Sequence, residues 1–389
     1  MDDPDVSVMA GGTIKPKLLF IITEDWYFWS HRLPIARAAR VQGFDVVIAT
    51  HVQDHGELIR REGFKLIPIR LSRKSRNPLQ ELLAIVDLFE IYRKERPDIV
   101  HHVAMKPVLY GSISARLTGV PYIVNALAGM GYVFTSNHLQ AKLVRPFIKM
   151  AFSFLLGGEN TLTIVQNPDD FNLLQNIVKE RSLVIIKGSG VDTTVFKPSP
   201  NKERTPVVLM ASRMLWDKGV GEFVAAAKIL QQEGVAARFV LVGDIDHENP
   251  SAVPASKLKE WQDGKVVEYW GHRKNMLEVF QGAHIACLPS YREGLPKVLL
   301  EAAACGLPIV TTDTPGCREI VRDQINGLLV PVKDIKALAH ALKNLIMDHA
   351  LRSRMGETGR KIVENEFSQE KVIDETISLY NRLLQPRSR

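Results

Sequence analysis

Short apolar runs alternate with longer amphipathic stretches along most of the chain. The first run is Lys15–Thr23, KPKLLFIIT. It is followed by HRLPIARAARVQGF, where Leu33, Ala36, Ala39 and Arg40 fall at helical spacing and Gly43 is placed to end the helix. DVVIAT, Asp45–Thr50, is the next strand. Apolar strands that alternate with helices are buried on both faces and belong to a parallel sheet. The alternation continues through KLIPI, the helix PLQELLAIVDLFEIYRKERP, the strand DIVHHV, the helix LYGSISARLTG and the strand PYIVNAL. It restarts at TPVVLMAS, Thr205–Ser212, and runs through GVGEFVAAAKILQQEG, ARFVLVGD, NMLEVFQGA, IACLPS, KVLLEAAACG and PIVTTD. Between the halves, KGSGVDTTVFKPSPNKERTP is rich in Gly, Pro and Ser and reads as a linker. The expected fold class is therefore α/β, with two Rossmann-like, doubly wound parallel-sheet domains facing each other. Ligands of such sheets bind beyond the carboxyl ends of the strands, which here places them in the interdomain cleft. The expected boundaries are a flexible N-terminus over 1–13, a first domain over 14–190, a linker over 191–204, a second domain over 205–367 and a last helix over 368–389.

Length agrees with this division, because 389 residues are too many for one ordinary core. Apolar residues make up 46% and charged residues 24%, the balance of a soluble globular chain. No apolar run is long enough to span a bilayer. The opening MDDPDVSVMAGG is acidic and lacks an apolar signal core, so secretion is not expected. Cys287, Cys305 and Cys317 are odd in number and match no zinc spacing, which suits a reducing cytoplasm. A net charge of +7 favours anionic partners, and composition does not choose among phosphates, nucleic acid and a membrane surface.

Candidate chemistry concentrates in SYREGLPKVLLEAAACGLP, Ser290–Pro308. Glu293 follows a strand, Glu301 lies on the next helix, Pro296 suits the first helical turn and Gly306 ends it. Backbone N–H groups at that helix start receive an anion, and a carboxylate accepts from adjacent sugar hydroxyls. Alone, such a pair of glutamates reads first as solvated charge. Its surroundings change this. In MASRMLWDKGVGEF, Arg213 and Lys218 stand between a strand end and a helix start, beside Gly219, as a diphosphate requires. KGSGVD adds flexible backbone at the domain junction, and GHRKNMLEVF a further loop at a strand end. Asp244 and Asp246 in GDIDHE form a D-x-D pair, open to reading as a metal site.

Taken together, ASRMLWDKG, VGDIDHENP, GHRKNMLEV, LPSYREGLPKVLLEAAACGLPIVTTDTPGCREIV and NGLLVP resemble glycosyltransferase family 4, of GT-B fold. The resemblance extends from about Lys15 to about Leu384. HHVAMKPVLYGSISARLTGVPYIVNALAGMGYVF and SHRLPIARAARVQGFDVVIAT are most similar to enzymes that extend lipid-linked sugars in capsule, O-antigen or glycan assembly. The resemblance implies a retaining transferase, with a nucleotide sugar as donor, a UDP-sugar by family habit and an N-acetylhexosamine among the candidates. It implies a polyprenyl-diphosphate-linked glycan as acceptor. Arg213 and Lys218 would bind the diphosphate, Glu293 the sugar hydroxyls, Glu301 the ribose, and Arg273 would frame the base. Gly294, Leu295, Pro296, Lys297 and Val298 complete the donor site. Family enzymes work without a metal, so neither metal nor cofactor is expected. The last helix, FSQEKVIDETISLYNRLLQ, would cross back to the first domain.

Many family members carry a histidine close to the reacting sugar, at a position that here is Leu127. His31, His101, His102 and Lys106 are the remaining candidates on the acceptor side, with His31 the first choice as a catalytic group because it follows the first strand. Asn137–Gly158 reads as a helix interrupted by Pro146, with Leu139, Leu143, Phe147, Met150 and Phe154 on one side and Lys142, Arg145 and Lys149 on another. A basic amphipathic segment lies on an anionic bilayer or packs against its own domain. On the first reading, Arg145 and Lys149 meet acceptor phosphates and the enzyme sits on the inner face of the cytoplasmic membrane. Two alternatives stay open: a soluble sugar, metabolite or protein as acceptor, and a non-enzymatic binder of nucleotides or nucleic acid. The basic residues are dispersed through helices without interleaved aromatics, so nucleic acid is not the expected partner.

Overall fold

The computed structural model describes residues 15–72, 77–129, 139–199, 205–247 and 249–385, with side chains of the helix starting at Leu139 described from Arg145 onward. The N-terminal segment expected over 1–13, the end of the linker, and the side chains of Leu139, Lys142 and Leu143 lie outside this set.

Seven strands form the first sheet: β1 (Lys17–Glu24), β2 (Asp45–His51), β3 (Lys65–Pro68), β4 (Ile99–Val103), β5 (Tyr122–Ala126), β6 (Thr161–Val165) and β7 (Leu183–Ile185). Their order is β3-β2-β1-β4-β5-β6-β7, with every pairing parallel. Leu18 to Ile22 of β1 are all fully buried, as a strand covered on both faces must be. The connecting helices are α1 (Asp25–Tyr27), α2 (Leu33–Val41), α3 (Gly56–Arg61), α4 (Pro78–Glu95), α5 (Ser112–Thr118), α6 (Leu139–Leu156) and α7 (Pro168–Gln175). Two π-helical turns interrupt the pattern, Phe28–Arg32 after β1 and Pro107–Gly111 after β4.

Six strands form the second sheet: β8 (Val207–Ala211), β9 (Arg238–Val242), β10 (Glu268–Tyr269), β11 (Ile285–Leu288), β12 (Ile309–Thr312) and β13 (Gly327–Val330). The order is β10-β9-β8-β11-β12-β13, again parallel throughout. Its helices are α8 (Val220–Gln232), α9 (Ala255–Asp263), α10 (Met276–Gln281), α11 (Lys297–Ala304), α12 (Cys317–Ile320), α13 (Ile335–Met347) and α14 (His349–Glu366). Strand order reverses between β1 and β4 in one sheet and between β8 and β11 in the other. Ligand crevices open at such reversals, and here the loops after β1, β8 and β11 meet.

The chain then returns. Helix α15 (Gln369–Leu384) buries Val372, Ile377, Leu379, Tyr380 and Leu383 in the core of the first domain, against α2. Where it leaves the second domain it touches the linker: Val191 N–H donates to Phe367 O and Gln369 N–H donates to Val191 O. The two passages between domains thus run side by side.

Candidate active site

A cleft cavity of about 500 Å³ lies between the two sheets. The first domain lines it with Trp26, Tyr27, Ser30, His31, Ala128 and Gln166. The second lines it with Arg213, Lys218, Glu293 to Val298, and Glu301.

Two strand ends supply the charged groups. After β8 the chain passes Arg213 and enters a tight turn over Trp216–Lys218, and Gly219 in the left-handed region starts α8. A Cβ on Gly219 would lie 2.2 Å from Pro289 O, so no side chain fits there. After β11 the loop Pro289–Pro296 leads into α11. Gly294 packs so closely on the first domain that a Cβ would lie 2.7 Å from Ala128 O. No side chain caps the start of α11, which leaves its first N–H groups for a ligand.

Lys218 Nζ donates to Glu293 Oε1 at 2.5 Å, and Ser290 Oγ donates to the same oxygen at 2.6 Å. Lys297 Nζ lies 3.4 Å from Glu301 Oε1 and donates to Ser30 O at 2.8 Å, across the cleft. Burial raises the Glu301 carboxyl above its ordinary range, and Lys297 opposes that shift. Arg213 Nη1 donates to Asp246 Oδ2 at 2.6 Å, and Asp244 Oδ2 lies 3.3 Å from His272 Nδ1. Both carboxylates of the D-x-D pair are therefore engaged by cationic or protonatable side chains. His31 sits against Tyr27 and Ser30; burial, then Lys297 and Arg32, lower its pKa to about 3.

The two domains also grip each other beside the cavity. Asn167 Nδ2 donates to Gly294 O at 2.9 Å, Arg292 Nη2 to Asp170 Oδ1 at 2.9 Å, and Arg318 Nη1 to Asp169 Oδ1 at 3.2 Å. Asn167 and Asp170 are buried at the start of α7. Asn167, Asp169 and Asp170 do not stand out in the sequence, because an Asn-Pro-Asp-Asp helix start is what any capped helix carries.

Not every candidate reaches the cleft. His101 and His102 lie on β4, which is buried on both faces, and neither has exposed surface. His101 Nδ1 pairs with the Tyr380 hydroxyl and its ring stacks on Phe20. His102 bonds Asn125 Oδ1 and the Tyr92 hydroxyl, each at 2.8 Å. Their partners are inside the sheet sandwich, so the acceptor-side assignment of both is corrected: they hold the core together. Lys106 donates to Glu81 Oε1 at 2.8 Å and Ser72 O at 3.0 Å, tying the loop after β4 to α4 rather than to the cavity. Arg273 stacks over Trp270 at 5.8 Å and lines a separate hollow of about 420 Å³ with Asn275 and Glu278. Arg145 and Lys149 lie on α6, away from the cavity lining. Leu127 is buried in a core cluster with Val108 and Phe152. All three cysteines are buried outside any disulfide, and burial pushes the Cys287 and Cys317 thiols up, so neither is a ready nucleophile.

The model described as "Glycosyl transferases group 1" matches residues 191–362, and the one described as "Glycosyl transferase 4-like" matches residues 17–167. The chain belongs to glycosyltransferase family 4. A Campylobacter jejuni enzyme, N,N'-diacetylbacillosaminyl-diphospho-undecaprenol alpha-1,3-N-acetylgalactosaminyltransferase, is 29% identical over 91% of this chain and 95% of its own. The Escherichia coli UDP-Gal:alpha-D-GlcNAc-diphosphoundecaprenol alpha-1,3-galactosyltransferase is 26% identical over 78% of this chain and 80% of its own. Among solved structures, sucrose-phosphate synthase from Thermosynechococcus elongatus superposes with a TM-score of 0.80 over 95% of this chain and 99% of that one, at 20% identity. The fold is GT-B, and the family 4 chain is a glycosyltransferase.

Proposed function

We propose that this transferase moves a sugar from a UDP-sugar to a polyprenyl-diphosphate-linked glycan, with retention at the anomeric carbon. The observation that carries the reading is the meeting of Lys218, Glu293, Glu301 and the uncapped start of α11 in one cleft. Arg213 and Lys218 bind the diphosphate and stabilise the charge that develops on it as the bond to the sugar breaks. The N–H groups at the start of α11 add to this field. Glu293 holds hydroxyls of the donor sugar, and Glu301 those of the ribose. The acceptor hydroxyl attacks from the face the diphosphate leaves and gives its proton to the departing phosphate oxygen. A role for Glu293 as a sugar ligand fits its two donors, Lys218 and Ser290, which fix one carboxylate oxygen. The engagement of Asp246 by Arg213 fits a donor site whose phosphate charge is met by side-chain cations, without metal or cofactor. The names of the two bacterial relatives support the lipid-linked acceptor, and that of the E. coli enzyme supports UDP.

A lipid acceptor calls for contact with the membrane surface, and the first domain offers a face for it. Among the described residues, no helix is long and apolar enough to cross a membrane. On α6, Phe147, Met150 and Phe154 stand in one row and are 68%, 69% and 70% exposed. Lys149 is exposed beside them, and the Arg116 guanidinium lies over the Phe154 ring. On α4, Leu79, Leu82 and Val86 repeat the spacing and the exposure. Helix α5 packs on both α4 and α6, so the two helices are near neighbours in the first domain. Apolar rows flanked by cations suit an anionic bilayer at the inner face of the cytoplasmic membrane.

The test is nucleotide release from UDP-, GDP- and ADP-sugars, with and without polyprenyl-diphosphate-linked glycans, beside a Glu301→Ala control. Release from a UDP-sugar, raised by the lipid-linked glycan and lost in the control, is expected. Absence of release together with absence of UDP binding would overturn the reading.

A further inference from the structure

The first domain meets the donor loop at Gln166. This residue follows β6 directly, and the next one, Asn167, caps α7 by accepting from Asp170 N–H at 2.8 Å. Asn167 Nδ2 also donates to Gly294 O, so the grip between the domains is applied one residue away. Glycine at 294 permits the approach: a Cβ there would lie 2.7 Å from Ala128 O and 3.0 Å from Gln166 Oε1. The Gln166 side chain is therefore held against the backbone that follows Glu293.

Gln166 is 7% exposed, and it lines the cleft cavity. Its side-chain amide has no hydrogen-bond partner among the described residues. Buried amides without a partner are rare, because removing such a group from water uncompensated costs free energy. Here the amide borders a polar cavity, where a ligand supplies the partner. Glu293 is likewise only half engaged. Lys218 and Ser290 both donate to its Oε1, and Oε2 has no hydrogen-bond partner among the described residues. An open acceptor from the second domain and an open amide from the first thus meet at Gly294.

Resting on the transferase reading above, we propose that Gln166 is a specificity-determining residue for the donor sugar. Glu293 Oε2 accepts from one ring hydroxyl, and the Gln166 amide pairs with the neighbouring one. A carboxylate only accepts, whereas an amide both accepts and donates, so Gln166 engages a hydroxyl through its oxygen and its hydrogen alike. An epimer carries that hydroxyl on the other side of the ring and leaves the buried amide without a partner. Sites built to pair with a hydroxyl discriminate by that penalty. Because Glu293 and Gln166 belong to different domains, the sugar is read from both sides, and the reading requires the closed cleft.

The experiment is calorimetric titration of the full chain with UDP, UDP-glucose, UDP-galactose, UDP-N-acetylglucosamine and UDP-N-acetylgalactosamine, which include two pairs of C4 epimers. Wild type is expected to bind UDP and to hold one sugar nucleotide about tenfold or more tighter than the weakest of the others. Gln166→Met, close in volume and without hydrogen-bonding groups, should shrink that preference by about tenfold. Gln166→Asn keeps the amide but sets it back by one carbon, and should shrink it by about threefold. Affinity for UDP alone should move less than about twofold in both variants. A preference within about twofold of wild type in Gln166→Met would overturn the assignment; should that variant lose UDP as well, the same result in Gln166→Asn would do so. Equal weakening of UDP and every sugar nucleotide in both variants would overturn it too, as would a UDP-binding wild type that distinguishes none of the sugars. A wild type that does not bind UDP would overturn the transferase reading itself.

Discussion

Lys218 Nζ lies 2.5 Å from Glu293 Oε1, so the cation assigned to the diphosphate and the carboxylate assigned to the sugar touch before any ligand arrives. The pair is mostly shielded, and each side chain fixes the other's rotamer. Donor binding must share Lys218 between Glu293 and phosphate. Removing either member therefore also displaces its neighbour. Lys218→Ala and Glu293→Ala are each expected to lower kcat by about 10²–10³-fold, the range for a lost transition-state donor. The double variant should fall well short of the product of the two effects, because the residues act as a unit. Turnover of nucleotide release in the three variants measures this, and strictly multiplicative losses would contradict it.

His102 is expected to behave as a core residue. It fills the space between Tyr92 and Asn125, and a Cβ on Gly111 would lie 2.5 Å from its Nε2. His102→Ala leaves a cavity, the Tyr92 hydroxyl without its imidazole partner and Asn125 Oδ1 with Ser112 Oγ alone, a loss of about 2–4 kcal/mol in stability. Urea unfolding should record it, while KM for donor and acceptor changes less than about twofold in the folded fraction, since no ligand is touched.

The buried imidazoles also set a pH dependence. Burial holds His101 well below its ordinary pKa, His102 at about 4 and His31 at about 3. As pH falls through about 6.5 the unfolded chain takes protons on these rings and the folded one does not, so stability falls toward acid by about 1.4 kcal/mol per pH unit for each ring. The loss continues until pH reaches the folded values and vanishes above about pH 7. Glu301 and Asp170, raised by burial, act in the opposite sense nearer the carboxylate range. Comparing slopes isolates the histidine part. His101→Phe, which keeps a ring against Phe20, should flatten the urea-derived stability curve between pH 6 and 5 by about 1.4 kcal/mol per unit. An unchanged slope would refute it.

Much of this architecture is legible in the chain because strands such as Leu18–Ile22 are continuous apolar runs and their helices carry one apolar face. β6 does not show in the pattern because TLTIV alternates threonine with apolar residues although all of it is buried; Thr163 is enclosed in the sheet. β7 spans three residues and β10 two, too short for any periodicity. Helix α14 is dominated by charged and small residues and hides its few core contacts, Met355, Ile362 and Val363. In the site, the donor side was legible because its residues are close in sequence and chemically marked. The acceptor side was not. A histidine on a strand points into a core as readily as into a cleft, and only the sheet order reveals that β4 is central. Trp26 and Ser30 reach the cleft lining through the short helix α1 and the π-turn that follows it, which sequence spacing does not announce.

The exposed apolar row on α6 gives a prediction about the membrane. Phe147→Ser, Met150→Ser and Phe154→Ser together remove the exposed row without touching the cavity. Each substitution removes about 1–2 kcal/mol of apolar burial in the headgroup region. The triple variant should lose co-sedimentation with vesicles of phosphatidylglycerol and phosphatidylethanolamine, and keep its release rate with a short-chain, water-soluble acceptor. Lys149→Glu should weaken the same binding and its salt dependence. Undiminished sedimentation in the triple variant would move the contact elsewhere.

The domain grip supplies the last prediction. Asp170 is buried and its carboxyl is raised by burial, against which Arg292, 2.9 Å away on the second domain, is the largest opposing influence. Arg292→Ala would leave that carboxyl with the Asn167 side-chain amide as its neighbour and its charge uncompensated. Breaking a buried pair from one side costs several kcal/mol, and since Arg292 is partly solvated about 1–3 kcal/mol is expected here. The expense falls on the closed arrangement, because Asp170 gains water when the domains part. Donor KM should therefore rise more than kcat falls, as for a lost closure contact. Asp170→Asn in the same chain removes the orphaned charge and should restore most of the affinity. Steady-state kinetics of the two single variants and the double variant decide the matter. If the second substitution restored nothing, the ion pair would have no part in closing the cleft.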